Sequence, residues 1–432
     1  MRRTVKQFNI TDIELFKKKV LRWANFSEEI VWLDSNQHKQ PYGSFEAVLA
    51  LDAFTSIKTD YHNAFNDLVE YQQHTADWIF GYLTYDLKND TENLTSSNYD
   101  GLVFPDLFFF QPKRLLLLKE NAVEFHYLAM IDDEINDDYE QIINTEVEAI
   151  FAETNSSPLK IKLRIHKDAY LEKIEKMLAH IHRGDIYEAN FCQEFYAEDA
   201  TIHPIKTFEN LNAISKPPFA TFLKHQHNYL LSASPERYIR KEGTQIISQP
   251  IKGTAKRAQT PQEDALLVKA LETDTKERSE NVMIVDLVRN DLSRIAEKGS
   301  VKVEELCKVY TFMQVHQMIS TIKAEVSPTT NPVDIIKVAF PMGSMTGAPK
   351  LSAMKIIEAL EETKRGLYSG AVGYFNPNGD FDFNVIIRSI LYNEEKQYVS
   401  FSAGSAITSK SIPEKEYEEC LVKAKAMREV LE

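Results

Sequence analysis

Apolar and polar positions in the first third of the chain fall into short runs separated by turn-forming clusters. Residues 30–33, 47–54, 78–83, 107–110, 114–118 and 122–127 are short apolar runs, too short for stable helices, so most predict strands. Ahead of them, Ile13, Phe16, Val20 and Trp23 recur at helical spacing, and Thr11 with Glu14 reads as a capping box. Further on, Leu171, Ile174, Leu178 and Ile181 predict a helix that stops near Gly184, before the strand-like IYEANFCQEFY.

Two hairpins follow, 219–223 with 229–232 and 237–240 with 245–251, the second turning at Glu242-Gly243. Thr260, Pro261 and Glu263 supply an N-cap, a first-position proline and a capping-box partner, and helical sequence continues over 277–295. Pro413 opens a last helix that runs to the C-terminus. Hairpins interspersed with helices, without an internal repeat, predict an α+β or mixed α/β fold. The stretch AETNSSP, 152–158, is the best linker candidate, dividing residues 1–155 from residues 160–432; a surface loop within one domain would read the same way.

Composition narrows the class. Hydrophobic residues make up 43% and charged residues 26% of 432, the balance of a folded globular protein with room for a large core. A net charge of −14 with no basic run repels phosphate backbones and anionic lipid, so neither nucleic acid nor a membrane surface is an expected partner. Cys192, Cys307 and Cys420 are scattered, as in a reducing compartment. No apolar run approaches the ~20 residues of a spanning helix, and Arg2 and Arg3 precede no apolar leader, so a mature cytoplasmic protein is expected.

Candidate chemistry concentrates late in the chain. Seven of the 14 glycines lie between Gly343 and Gly404. In PMGSMTGAPK, 341–350, Gly343 and Gly347 precede a helix carrying Ala353, Ile356, Ile357 and Leu360. Its first amides could bind an anion, with Ser344, Thr346 and Lys350 as further donors, or could simply start a helix; the spacing is not that of a Walker loop. Glu277 and Glu280 sit three apart in one predicted helix and Glu416 and Glu419 in another, a pattern that suits a hard divalent cation and equally suits two solvated helix faces. Lys252, between a strand and Gly253, could be held against a ligand or be solvated. His316, flanked by Met313 and Met318, fits a satisfied core histidine as well as a catalyst.

In order and spacing, nine segments resemble the chorismate-utilising enzyme family: GDIYEANFCQEF, SASPERYIR, QPIKGTAKR, ERSENVMIVDLVRNDLSRIA, GSMTGAPKLSAMKIIEALE, RGLYSGAVGYF, FNVIIRSI, SAGSAI and PEKEYEECLVKA. They span roughly residues 185–425. The resemblance implies a two-lobed α/β fold with antiparallel sheets packed as a sandwich, helices outside, and the N-terminal lobe completing the sandwich. PIKGT, with Lys252, resembles the members that aminate chorismate at C4, whereas anthranilate-forming members usually read PIAGT. The implied chemistry is attack by Lys252 on C2, protonation of the departing C4 hydroxyl by Glu236, Mg²⁺ at a substrate carboxylate, and displacement by ammonia to give 4-amino-4-deoxychorismate, a precursor of p-aminobenzoate and folate.

The same matching implies Glu280 and Glu419 as Mg²⁺ ligands, with Glu277 and Glu416 beside them, and His316 as the active-site histidine. Tyr368, Arg388 and Lys423, with amides near Gly253, Thr254, Thr346 and Gly404, would hold the substrate's carboxylates and enolpyruvyl group. Without a glutaminase-like GxCxG segment, ammonia is expected from solution or from a glutamine amidotransferase subunit. Three positions depart from the family: Glu188 stands where relatives often have glutamine and isochorismate- or salicylate-forming members a lysine, Ala406 replaces the second glycine of GxG, and Met342 replaces a glycine. A catalytically inactive scaffold for an amidotransferase is the reading from another functional class.

Overall fold

Two long antiparallel strands, Ala47–Thr59 and Leu107–Lys119, set the architecture. The computed structural model describes residues 2–38, 42–43, 45–147, 158–312 and 315–432. The patterning predicted two strands at 107–110 and 114–118, interrupted by Pro112; they are one strand. Pro112 lies opposite Ala53, beside a register shift between Ala53 and Thr55, which is where a residue without an amide proton is tolerated. Side-chain phase changes across it. Phe108 and Phe110 face the same inner cluster as Leu115 and Leu117, while Leu107 and Phe109 point to one outer cluster and Leu116 and Leu118 to another. The strand thereby passes from one sheet into a second.

In one layer, Glu29–Asp34 pairs with Phe219–His225, which continues through Asn228–Ser234, Ser389–Asn393 and Tyr398–Thr408 to Glu188–Ala197. In the other, Ile79–Leu83 pairs with Ala371–Phe375, followed by Phe381–Val385, Arg237–Glu242, Gln245–Gln249 and Val315–Glu325. The inner faces meet in a core that includes Val31, Phe80, Tyr82, Phe108, Leu223, Val372 and Leu391. Helices cover the outer faces. Ile13–Trp23, Pro204–Ser215 and Pro413–Leu431 pack on the first sheet, and Ala64–Thr75, Thr275–Ser293 and Pro332–Ala339 on the second. The mixed α/β class, the antiparallel sheets and the outer helices therefore agree with expectation.

Most predicted ends hold. Gly184 caps Lys167–Arg183 at φ +87°, and the Thr260 side chain accepts from the Glu263 amide at the head of Pro261–Thr273. The first helix differs: its cap is Asp12, whose carboxylate accepts from the Leu15 amide at 2.9 Å, one residue beyond the predicted Thr11. Apart from Pro158, the 152–158 linker lies outside the described residues. Strands from before and after it pair with each other in both sheets. Among the described residues no helix is long and apolar enough to cross a membrane, and all three cysteines are buried free thiols.

Candidate active site

Lys252 sits in a bulge. The Ile251–Lys256 strand pairs with Val315–Glu325 at Ile251 and again at Thr254, with the register shifted between them, and Gly253 takes φ +94°. Bulges of this kind re-aim a side chain, and a left-handed φ favours glycine. A Cβ at Gly253 would stand 3.2 Å from Glu277 Oε2, so glycine also lets the bulge lie directly under the Thr275–Ser293 helix. Asn281, one turn along that helix, donates from its amide to the Lys252 and Met318 carbonyls at 3.3 Å each.

Around the Lys252 ammonium the fold gathers carboxylates from four elements. Glu188 opens the Glu188–Ala197 strand and its Oε1 lies 3.8 Å from Nζ; Glu280, Glu419 and Glu236 contribute to the same field. Burial alone would lower the pKa of Lys252, but these four carboxylates outweigh it and hold the ammonium above its usual value. Glu236, between Asn228–Ser234 and Arg237–Glu242, is buried, and its carboxyl is pushed up to about 7, mainly by desolvation. The Ser344 hydroxyl donates to Glu236 Oε1 at 2.8 Å, and the Asn190 amide donates to the Ser344 carbonyl at 3.0 Å.

Glu280 is likewise pushed up to about 7 by burial. Its Oε1 is buried without a hydrogen-bond partner, and the nearest ammonium, that of Lys276, is 3.7 Å away. Glu277 feels the charge of Glu419, so carboxylates of the Thr275–Ser293 and Pro413–Leu431 helices face one another across the site. Among the described residues no three histidine, cysteine or carboxylate side chains converge into a cluster that could hold a metal. An orphaned, desolvated carboxylate oxygen with further carboxylates nearby nonetheless fits a hard cation that keeps several waters.

The opposite wall is cationic. Arg388, at φ +54°, donates to the Lys423 carbonyl at 3.1 Å, and Lys423 donates from its ammonium to the Gly404 carbonyl at 2.9 Å while pairing with Glu419 at 2.7 Å. Burial lowers the pKa of Arg388, opposed by Tyr368 and Glu419. Tyr368 is buried with its hydroxyl 3.6 Å from Cys192 Sγ. A Cβ on Gly404 would come within 2.5 Å of both Cys192 Sγ and the Phe191 carbonyl, so the close pairing of these strands requires glycine there. A buried Arg365–Glu361 pair fixes the floor: Glu361 accepts from the Cys192 amide at 2.9 Å, and Arg365 donates to the Met345 and Asn190 carbonyls at 2.6 and 2.8 Å.

Four further candidates, Lys350, Thr346, Ser344 and His316, have hydrogen-bond partners within the protein. Lys350 is not offered to an anion, because it pairs with Asp291 at 2.6 Å and donates to the Ala339 carbonyl. Thr346 is bonded back on its own turn, hydroxyl to the Met342 carbonyl and amide to that of Gly343, and Ser344 is spent on Glu236. His316 is wholly buried, with Nε2 2.9 Å from Asp264 Oδ1 and Nδ1 2.9 Å from Thr311 Oγ1, the arrangement of a satisfied core histidine. Conversely, sequence reasoning assigned no role to Glu188 or Asn281. Glu188 had a signal, as a departure from the family pattern; Asn281 had none.

Comparison with known proteins places this geometry. The profile of the chorismate binding enzyme family matches residues 28–429. The chain is 36% identical to aminodeoxychorismate synthase of Streptomyces griseus over 82% of its own length and 50% of that protein's, so it spans half of that relative. It is 31% identical to aminodeoxychorismate synthase component 1 of Bacillus subtilis over 88% of this chain and 80% of the relative. The crystal structure of anthranilate synthase component I from Streptococcus pneumoniae superposes with a TM-score of 0.78 at 27% identity, covering 91% of this chain and 94% of that one. With the family profile spanning most of the chain over a carboxylate-ringed lysine faced by Arg388 and Lys423, the chain belongs to the chorismate binding enzyme family.

Proposed function

We propose that the chain is the chorismate-aminating component I of an aminodeoxychorismate synthase. The observation that carries the proposal is Lys252 itself, a half-buried lysine aimed by a bulge into a ring of carboxylates where anthranilate-forming members usually have alanine. Its Nζ would attack C2 of chorismate as the C1–C2 double bond moves to C1–C6, the C5–C6 double bond moves to C4–C5, and the C4–oxygen bond breaks. Glu236, pushed up to about 7, is substantially protonated near neutral pH and would deliver the proton that lets the hydroxyl leave as water. Ammonia then adds at C4, the two double bonds return to C5–C6 and C1–C2, and the C2–Nζ bond breaks to free 4-amino-4-deoxychorismate.

Arg388, with a planar fork suited to two-point binding, and Lys423, on exchanging its contacts with Glu419 and the Gly404 carbonyl, would hold the carboxylates of a dicarboxylate substrate. Amides near Gly253, Thr254 and Gly404 and the hydroxyl of Tyr368 would complete the substrate's contacts. Glu280 and Glu419, with Glu277 and Glu416 beside them, would hold Mg²⁺, which when bound neutralises a substrate carboxylate that these glutamates would otherwise repel. Ammonia would come from solution or from a glutamine amidotransferase partner.

Mass spectrometry of the product from chorismate, Mg²⁺ and excess ammonium tests the reading. The wild type should yield aminodeoxychorismate and Lys252→Ala should lose C4 amination by at least about 100-fold, the scale expected when a nucleophile is removed. Anthranilate from the wild type would move the chain to the other branch, and full activity of Lys252→Ala would sink the covalent route.

A further inference from the structure

Lys252 enters the reaction with a difficulty the fold itself creates. An amine attacks carbon only as the free base, yet a carboxylate 3.8 Å from Nζ, that of Glu188, favours its charged form. A proton must leave Nζ before the bond to C2 can form, and Glu236 cannot take it, because Glu236 must begin protonated. Glu280 and Glu419 are committed to the cation in the proposed arrangement.

Glu188 is the remaining carboxylate and the one in closest charge contact with Nζ, at 3.8 Å. It is 3% exposed. Its other oxygen, Oε2, is buried and has no hydrogen-bond partner, so the group is not tied up elsewhere in the protein. The backbone holds it rigidly: Ala348 and Thr408 flank it in the ladder, and its own carbonyl lies so close to Gly347 that a Cβ there would stand 2.1 Å away.

We propose that Glu188 is the positioning residue for Lys252, holding Nζ toward C2 and accepting its proton before attack. The inference rests on the reading of Lys252 as nucleophile. The ammonium passes one proton to Glu188 Oε1, the freed lone pair forms the Nζ–C2 bond, and the C4 hydroxyl leaves as water with the proton of Glu236. After ammonia has added and the Nζ–C2 bond has broken, the new C4 ammonium returns a proton to Glu236, and the Glu188 proton goes back to the amine. The sum is chorismate plus ammonia giving aminodeoxychorismate plus water. Glutamine at this position keeps the shape but cannot take a proton, and lysine would place a second ammonium against the first.

The test is a single turnover without ammonia, following the covalent adduct on the intact protein by mass spectrometry and its site by peptide mapping. Wild type should accumulate chorismate less water on Lys252. Glu188→Gln should form the same adduct at least tenfold more slowly, with the KM for chorismate within threefold of wild type in steady state, and Glu188→Asp should recover part of the rate. An unchanged adduct rate in Glu188→Gln, or an Asp variant no faster than Gln, overturns the role of Glu188. Absence of any adduct in wild type overturns the Lys252 reading on which it stands, and so separates the two failures.

Discussion

At the scale of single residues, the site is a set of charges whose ionisation the fold has reset. Glu280 ionises near 4.5 when solvated and at about 7 in the folded chain. For a carboxyl so raised, the folded state is favoured by the proton; that stability is complete below about 4.5 and is lost as pH rises through about 7. Removing the charge should therefore stabilise the metal-free protein at high pH only. Glu280→Gln is expected to raise the unfolding free energy at pH 8 by up to roughly 3 kcal/mol, with the gain shrinking toward pH 5, as read by denaturant titration at both pH values. Millimolar Mg²⁺ should raise the wild-type Tm at pH 8 and leave that of Glu280→Gln unchanged. A Mg²⁺ shift that survives the substitution would remove Glu280 from the ligand set.

At the scale of elements, what matters is how each one ends and bends. The first helix is held by the Asp12 carboxylate on the Leu15 amide, and Thr11 makes no such contact. Asp12→Ala should cost about 1 kcal/mol in denaturant melts, the usual value of an N-cap, while Thr11→Ala should stay within about 0.5 kcal/mol. Equal effects would restore Thr11 as the cap. Helix periodicity and caps were legible because they are local: the Gly184 stop, the Thr260 cap and the Pro413 start all appear where the residues alone place them. Pro112 was misread because its consequence is not local. A proline ends an isolated strand, but opposite a bulged partner it lets one strand turn from one sheet into the next.

At the scale of the whole molecule, both sheets draw strands from before and after residue 158, so residues 160–432 leave open edges. The strand Phe219–His225 would lose Glu29–Asp34, and Ala371–Phe375 would lose Ile79–Leu83. The inner core would lose Phe80, Tyr82, Phe108 and Phe110, each nearly or wholly buried. A 160–432 fragment is therefore expected to lack a cooperative thermal transition and to aggregate, since unpaired edges template association. A soluble fragment melting cooperatively would show that the N-terminal lobe is an independent unit.

What the sequence determined by itself is whatever depends on near neighbours: helix phase, caps, hairpin turns, and the ordered segments that carry Lys252, Glu236, Glu280 and Arg388. Their order and spacing were enough to anticipate the family. Only the tertiary structure decided which candidates share a site. Lys350, Thr346 and Ser344 stand in one glycine-containing segment and appeared equivalent donors, yet packing assigns them to Asp291, their own turn, and Glu236. Glu188 lies 64 positions from Lys252 and meets it because the two sheets converge there. Charge interactions fall off over a few ångströms while sequence separation carries no distance, so a residue's partner is fixed by the fold that brings it near.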